Sequence, residues 1–462
     1  MKSKRQSLRS MKSYIAVILL YGLVSFGFLN SSDLTAYPVT QDAEEKIASL
    51  DKTSKAEIID WFCTKLQDIY VLPEKAEEMV DVIQRQFKEG KYDDAADLKV
   101  LTRMLTSAAR SVYPDKHLQV YYDPKAVDAE NKPIDEAERL RRLKERWRMN
   151  NYGFKSLDHL EGNVGYLKMN EFADARWGRE TAVAVMHFFS NCDALIIDLR
   201  DNRGGYGSMI TLMLSYFFEE SIHLGSRYMR QKNFTRQEWT TDYVDGPKMA
   251  NMDLYVLTSR RTFSAAEAFA FRLQCLKRAV VVGENTAGGG HTVESVTNAE
   301  YKIVARIPDS RALDPITGKG FEKVGVEPDV KVSRDEALDT AYVLALKNLS
   351  EKAQGERKKE LVWRADYRKV HYKPYEIEAS LLEKLAGSYK SITVVFDSGR
   401  LYVIWPRETV RHLLLPLSKD TFIVEEDRMI RLGFEADESG QATAVNLIYF
   451  DGYVDKVQRT GK

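Results

Sequence analysis

Apolar residues recur at three- and four-residue steps through AEIIDWFCTKLQDIYV, AEEMVDVIQRQF and LKVLTRMLTSAARSVY. That spacing lines up one face of a helix. It predicts an N-terminal helical domain over 42–122, whose last stretch, YPDKHLQVYYDP (113–124), shifts to strand-like alternation. Residues 125–150 lose the apolar stripe and carry ERLRRLKERWR, the pattern of an exposed helix or linker.

From 163 onward, short apolar runs (NVGYLKMNEF, DALIIDLR, LYVLTS, AVVVGE) alternate with helical segments (ETAVAVMHFFS, SMITLMLSYFF, AAEAFAFRLQCLK). Strands buried on both faces read as continuous apolar runs, so this alternation predicts a layered α/β core over 151–345. Over 360–462 the pattern becomes short strands: ITVVFD-SG-RLYVIW reads as a hairpin, followed by HLLLPL, TFIVEE, RMIRLGFEA, AVNLIYF and YVDKVQR. Regular spacing with polar turns between predicts a small β-barrel or sandwich.

The first residues differ from all of this. A basic stretch without an acid, MKSKRQSLRSMKSY, precedes the uncharged run IAVILLYGLVSFGFL (15–29). The run is shorter than the ~20 apolar residues of a spanning helix. It predicts a signal peptide within 1–36 and export to the periplasm or the cell exterior, with a retained membrane anchor as the alternative.

Composition narrows the function classes. Lys+Arg and Asp+Glu both number 68, so no bulk charge favours nucleic acid or an anionic membrane. Cys63, Cys192 and Cys275 are scattered, which excludes a disulfide scaffold and a cysteine zinc site.

Five stretches carry candidate chemistry. RTFSAAEAF (261–269) follows the strand LYVLTS; Ser264 with Glu267 forms a capping box, and a serine on a strand-to-helix turn is also a nucleophile candidate. DNRGG places Gly204 and Gly205 after a strand, as a tight turn or as half of an oxyanion hole completed by the Ala265 N–H. His117 in YPDKHLQV and His291 in GGGHTV each lie beside a turn where a base could sit. Glu322 in GFEKVGVEPDV is either a surface charge or an acid that orients the base.

Taken in order, DALIIDLRDNRGG, LYVLTSRRTFSAAEAFAFRLQCLKRAVVVGENTAGGG and GVEPDV resemble the tail-specific (C-terminal processing) serine peptidases and the related retinoid-binding-protein-like and tricorn-core proteins. The resemblance implies a crotonase-like layered core with Ser264 as nucleophile. It implies no metal and no cofactor. The lysine-based branch has its lysine about 25 residues after the serine. Here that place is Gly289, and no lysine occurs between Lys277 and Lys302. The tricorn-like branch implies instead His117 as base and Glu322 as its orienting acid, with Gly204, Gly205 and Ala265 binding the oxyanion. His291 is the rival base. Where the tricorn pattern has a serine beside the histidine, this chain has Lys116. About 40 residues separate YYDP from GNVGY, too few for a PDZ domain.

The C-terminal segment resembles, more weakly, the lipocalin-like barrels attached to secreted hydrolases, here a structural or oligomerising addition. The expectation is an exported serine endopeptidase acting on peptides or unfolded proteins through an acyl-enzyme. The alternative is a non-catalytic protein that binds an apolar ligand or a peptide on the same fold.

Overall fold

The computed structural model describes residues 50–131 and 136–461. The segment predicted to be a signal peptide, and the first residues of the predicted helical domain, lie outside the described residues.

The chain begins with three helices, Lys52–Ile69, Pro73–Lys88 and Leu98–Val112. Asp51 and Asp97 cap the first and third through backbone N–H groups of Ser54 and Val100, each at 2.8 Å, and Pro73 opens the second, where a missing N–H costs nothing. The strand Gln119–Tyr122 then leaves the bundle and pairs antiparallel with Ile303–Leu313, Gln119 opposite Arg306 and Tyr122 opposite Ile303. The bundle is therefore not closed on itself. Ile58, Phe62, Leu66, Met79 and Leu105 share one buried core with Ile303, Ala305 and Ile307.

The central layer is a six-stranded sheet in the order Val330–Lys331, Val280–Gly283, Asp253–Thr258, Ala194–Asp198, Val164–Met169, Phe154–Leu160. All neighbours are parallel except the last pair. Strand alternation divides its side chains. Leu195, Ile197 and Val256 pack with the helices Ala175–Phe189, Gly207–Leu214 and Ala265–Cys275. Ala194, Ile196 and Leu257 pack on the other face against Ala337–Lys352. A second sheet holds Gln119–Tyr122, His223–Met229, Phe234–Trp239 and His291–Asn298 around Ile303–Leu313.

The C-terminal part is a closed eight-stranded barrel, in which Gly387–Tyr389 pairs with Val454–Gly461. Its interior is filled by side chains that include Val394, Leu401, Val403, Phe422, Leu432 and Val445. The helix Gly355–Tyr372 joins it to the core: Arg431 lies 4.0 Å over the Trp363 ring and 3.1 Å from Asp366. No described helix is long and apolar enough to cross a membrane. The three cysteines are free thiols.

Candidate active site

The strand Asp253–Thr258 delivers the chain to a loop that is laced to its neighbour. The Thr262 hydroxyl donates to the Leu199 carbonyl at 2.8 Å, and Phe263 N–H donates to the Asn202 carbonyl at 3.1 Å. Ser264 follows with φ 56° and ψ −117°, and the helix Ala265–Cys275 starts at the next residue. The capping box is present: the Glu267 carboxylate accepts the Ser264 N–H at 2.8 Å. An ordinary N-cap has extended backbone, however. A positive φ on a residue with a Cβ is strained, and such strain collects at functional sites.

Glu267 is fully buried and does more than close the cap. Its carboxylate also accepts from the Thr286 hydroxyl and from the N–H groups of Gly288 (2.6 Å) and Gly289 (2.8 Å). One side chain thus ties the serine turn to the glycine loop. Burial raises its pKa while these donors oppose the rise.

The two glycines after Ala194–Asp198 divide their tasks. Gly204 donates its N–H to Asn202 Oδ1 at 2.8 Å, so that N–H is already committed. With φ +103°, it lies so close to the serine turn that a Cβ would sit 2.9 Å from Ser264 Cβ. Gly205 (φ +138°) bridges Phe172, and a Cβ there would sit 2.0 Å from the Phe172 carbonyl oxygen. Neither the Gly205 N–H nor the Ala265 N–H, the first of its helix, has a hydrogen-bond acceptor among the described residues.

His117 is buried beside Phe263, the rings stacked at 4.5 Å between centroids. Its Nδ1 is buried without a partner among the described residues, as is Glu322 Oε1. The other Glu322 oxygen accepts from the Gly290 N–H at 2.6 Å and the His291 N–H at 3.1 Å. Burial, with help from Asp115, pushes the Glu322 carboxyl up to about 7. Burial likewise lowers the His117 imidazole to about 4, against the pull of Asp115.

Asp115 was not singled out in the sequence. Fully buried, it accepts the His117 N–H at 2.9 Å on one oxygen, and the Tyr70 hydroxyl (3.1 Å) and His291 Nδ1 (2.6 Å) on the other. An aspartate two residues before the histidine in a turn was the available signal, since Asp commonly binds the backbone two residues on. Asp115, His117 and Glu322 each place one donor atom within 4.8 Å of the others. Three hydrogen bonds already occupy Asp115, which leaves the His117–Glu322 pair as the unsatisfied part of the cluster.

Ser264, Ala265, Gly205, His117, His291 and Gly289 all line one cleft of about 1010 Å³. Glu322 stands behind it, bonded to the Gly290–His291 backbone. The structure therefore brings the predicted residues together, and the two histidines differ. His291 has its Nδ1 engaged by Asp115, whereas His117 faces Gly289 and Phe263.

Residues 163–332 match peptidase family S41. A "Probable CtpA-like serine protease" of Staphylococcus epidermidis is 24% identical over 173 residues, 37% of this chain and 34% of that one. The carboxyl-terminal-processing protease of Synechocystis is 31% identical over 131 residues, 28% and 29% of the two chains. The chloroplastic carboxyl-terminal-processing peptidase 2 of Arabidopsis thaliana is 28% identical over 167 residues, 36% and 31%. The chain spans about a third of the length of these relatives. The matched segment runs from the strand Val164–Met169 to Val330–Lys331, so the part of the chain similar to peptidase family S41 contains the serine, glycine and glutamate part of the cleft.

Proposed function

We propose that the chain is a serine peptidase using Ser264 as nucleophile, His117 as general base and acid, and Glu322 to orient the imidazole. His117 Nε2 takes the Ser264 proton as Oγ attacks the peptide carbonyl, and His117 returns that proton to the leaving amine. Water then repeats the sequence on the acyl-enzyme. An ionised Glu322 accepts the Nδ1–H and holds the tautomer in which Nε2 is free to act as base. The Gly205 and Ala265 N–H groups receive the oxyanion, at the positive end of a helix.

The observation that carries this reading is the pair of unsatisfied buried atoms, His117 Nδ1 and Glu322 Oε1, beside the strained Ser264 turn. Buried polar atoms ordinarily have partners, so an unpartnered pair beside a cleft calls for an explanation. An unfolded protein incubated with the chain should yield new fragments by mass spectrometry, and Ser264→Ala should abolish them. Intact substrate with both chains would leave ligand binding without turnover as the reading. Export follows from the basic and apolar leader, and cell fractionation tests it.

A further inference from the structure

The whole chain is electrically balanced, with 68 basic and 68 acidic residues, but the cleft is not. Its lining holds Lys116, Arg203, Arg227, Arg236 and Arg306 against only Glu238 and Asp309. Glu238 is already shared: Arg227 lies at 3.0 Å, Arg236 at 3.4 Å, and Arg272, buried in the helix that Ser264 opens, also binds it. One carboxylate therefore answers three guanidinium groups. Asp309 is half-buried, and burial raises its pKa.

Arg203 and Arg306 are exposed and have no ion-pair partner among the described residues. They approach the serine from different sides. Arg203 immediately precedes Gly204 and Gly205, on the side of the oxyanion donors. Arg306 lies opposite Gln119, two residues beyond His117, on the side of the base. Excess charge in a cleft with low-dielectric walls focuses the field and concentrates ligands of opposite sign. Guanidinium groups bind carboxylates in a planar fork.

We infer that this cleft selects peptides bearing carboxylates, seated on Arg203 and Arg306 at either side of Ser264. The inference rests on the peptidase reading for its substrate and adds the substrate's charge class. The carboxylates are those of acidic side chains.

Binding to the full chain carrying Ser264→Ala tests it without any need for turnover. Three fluorescein-labelled peptides of one length serve as probes: neutral with an amidated end, acidic with an amidated end, and neutral with a free C-terminal carboxylate. The acidic amidated peptide should bind about tenfold more tightly than the neutral amide, an advantage of the size expected for one good charge-assisted contact. The advantage should shrink with added salt and on Arg203→Gln or Arg306→Gln. Tight binding of the free-ended peptide alone, with the acidic peptide no better than the neutral amide, overturns the inference. Equal binding of all three, or no binding at millimolar peptide, overturns the inference. Charge-selective binding with no cleavage by the native chain would sink only the peptidase reading. Cleavage indifferent to charge would sink only this one.

Discussion

A Cβ on Gly289 would lie 2.7 Å from Cε1 of His117 and 2.2 Å from Cε2 of Phe263. The position where the lysine-based branch would be expected to carry its lysine is thus closed by the His117 imidazole and the Phe263 ring. Gly289→Ala should lower kcat at least tenfold by pushing the ring away, with a smaller effect on KM, since misplacement of reacting groups by about 1 Å can cost 100-fold in rate. Gly289→Lys should show no rescue, because the lysine would have to displace His117. Steady-state kinetics on folded variants decide the matter, and an unchanged kcat for Gly289→Ala would remove His117 from the mechanism.

The acid–base pair sets a pH profile with a defined sign. On the proposed mechanism the base works when His117 is neutral, above about 4, and when Glu322 is ionised, above about 7. The ascending limb of kcat/KM should therefore follow Glu322 and lie near 7, not at the ordinary carboxylate value. Asp115, His291, Tyr70 and Tyr113 surround this carboxylate, so the limb belongs to the cluster as a unit. A limb at pH 4 to 5 would contradict the assignment of Glu322.

The same shift predicts a stability effect of the opposite sign to function. Between its ordinary pKa and about 7, Glu322 holds its proton more tightly in the folded chain than in the unfolded one. Folding stability from this group is therefore full below the ordinary carboxylate pKa and falls as pH rises through 7. Glu322→Gln should raise stability at pH 8 by about 2 kcal/mol and change it little at pH 4.5. Its amide would point an N–H toward His117 Nδ1 and fix the unproductive tautomer, so activity should fall while the melting temperature at pH 8 rises. Thermal unfolding at the two pH values, beside kcat, separates the two effects.

Glu267 should behave in the opposite way. Its carboxylate accepts four hydrogen bonds, so Glu267→Gln replaces an acceptor with a donor that faces other donors. A loss of about 1–3 kcal/mol is expected from the unsatisfied groups. Catalysis should fall as well, because the serine turn and the glycine loop come apart together. Denaturant unfolding and kcat should decline in parallel. Loss of stability with full activity would limit Glu267 to a helix cap.

Much of this was legible in the sequence where the signal is local. The apolar run LYVLTS reads as a buried strand and S-x-x-E after it as a helix start, so the Ser264 turn could be placed. Short alternating runs with polar turns likewise indicated the barrel, which the structure closes. Other features had no local signature. Asp115 meets His291 across 176 positions, and Glu267 meets Gly289 across 22. The helical segments looked self-contained because an amphipathic stripe does not say what covers it. Here the cover is the strand Ile303–Leu313. That the Gly204 N–H is taken by Asn202 depends on a side-chain rotamer, which spacing does not encode.

The seam between Gln119–Tyr122 and Ile303–Leu313 has a consequence for when the cleft comes into being. Asp115 and His117 enter from the N-terminal bundle and Ser264 from the central sheet, and this long-range strand pairing is what brings them alongside. Pairings between strands distant in the chain close late in folding. A nascent or partly unfolded copy therefore carries its serine without a base beside it. On the proposed mechanism, loosening the bundle would part His117 from Ser264 without touching the serine.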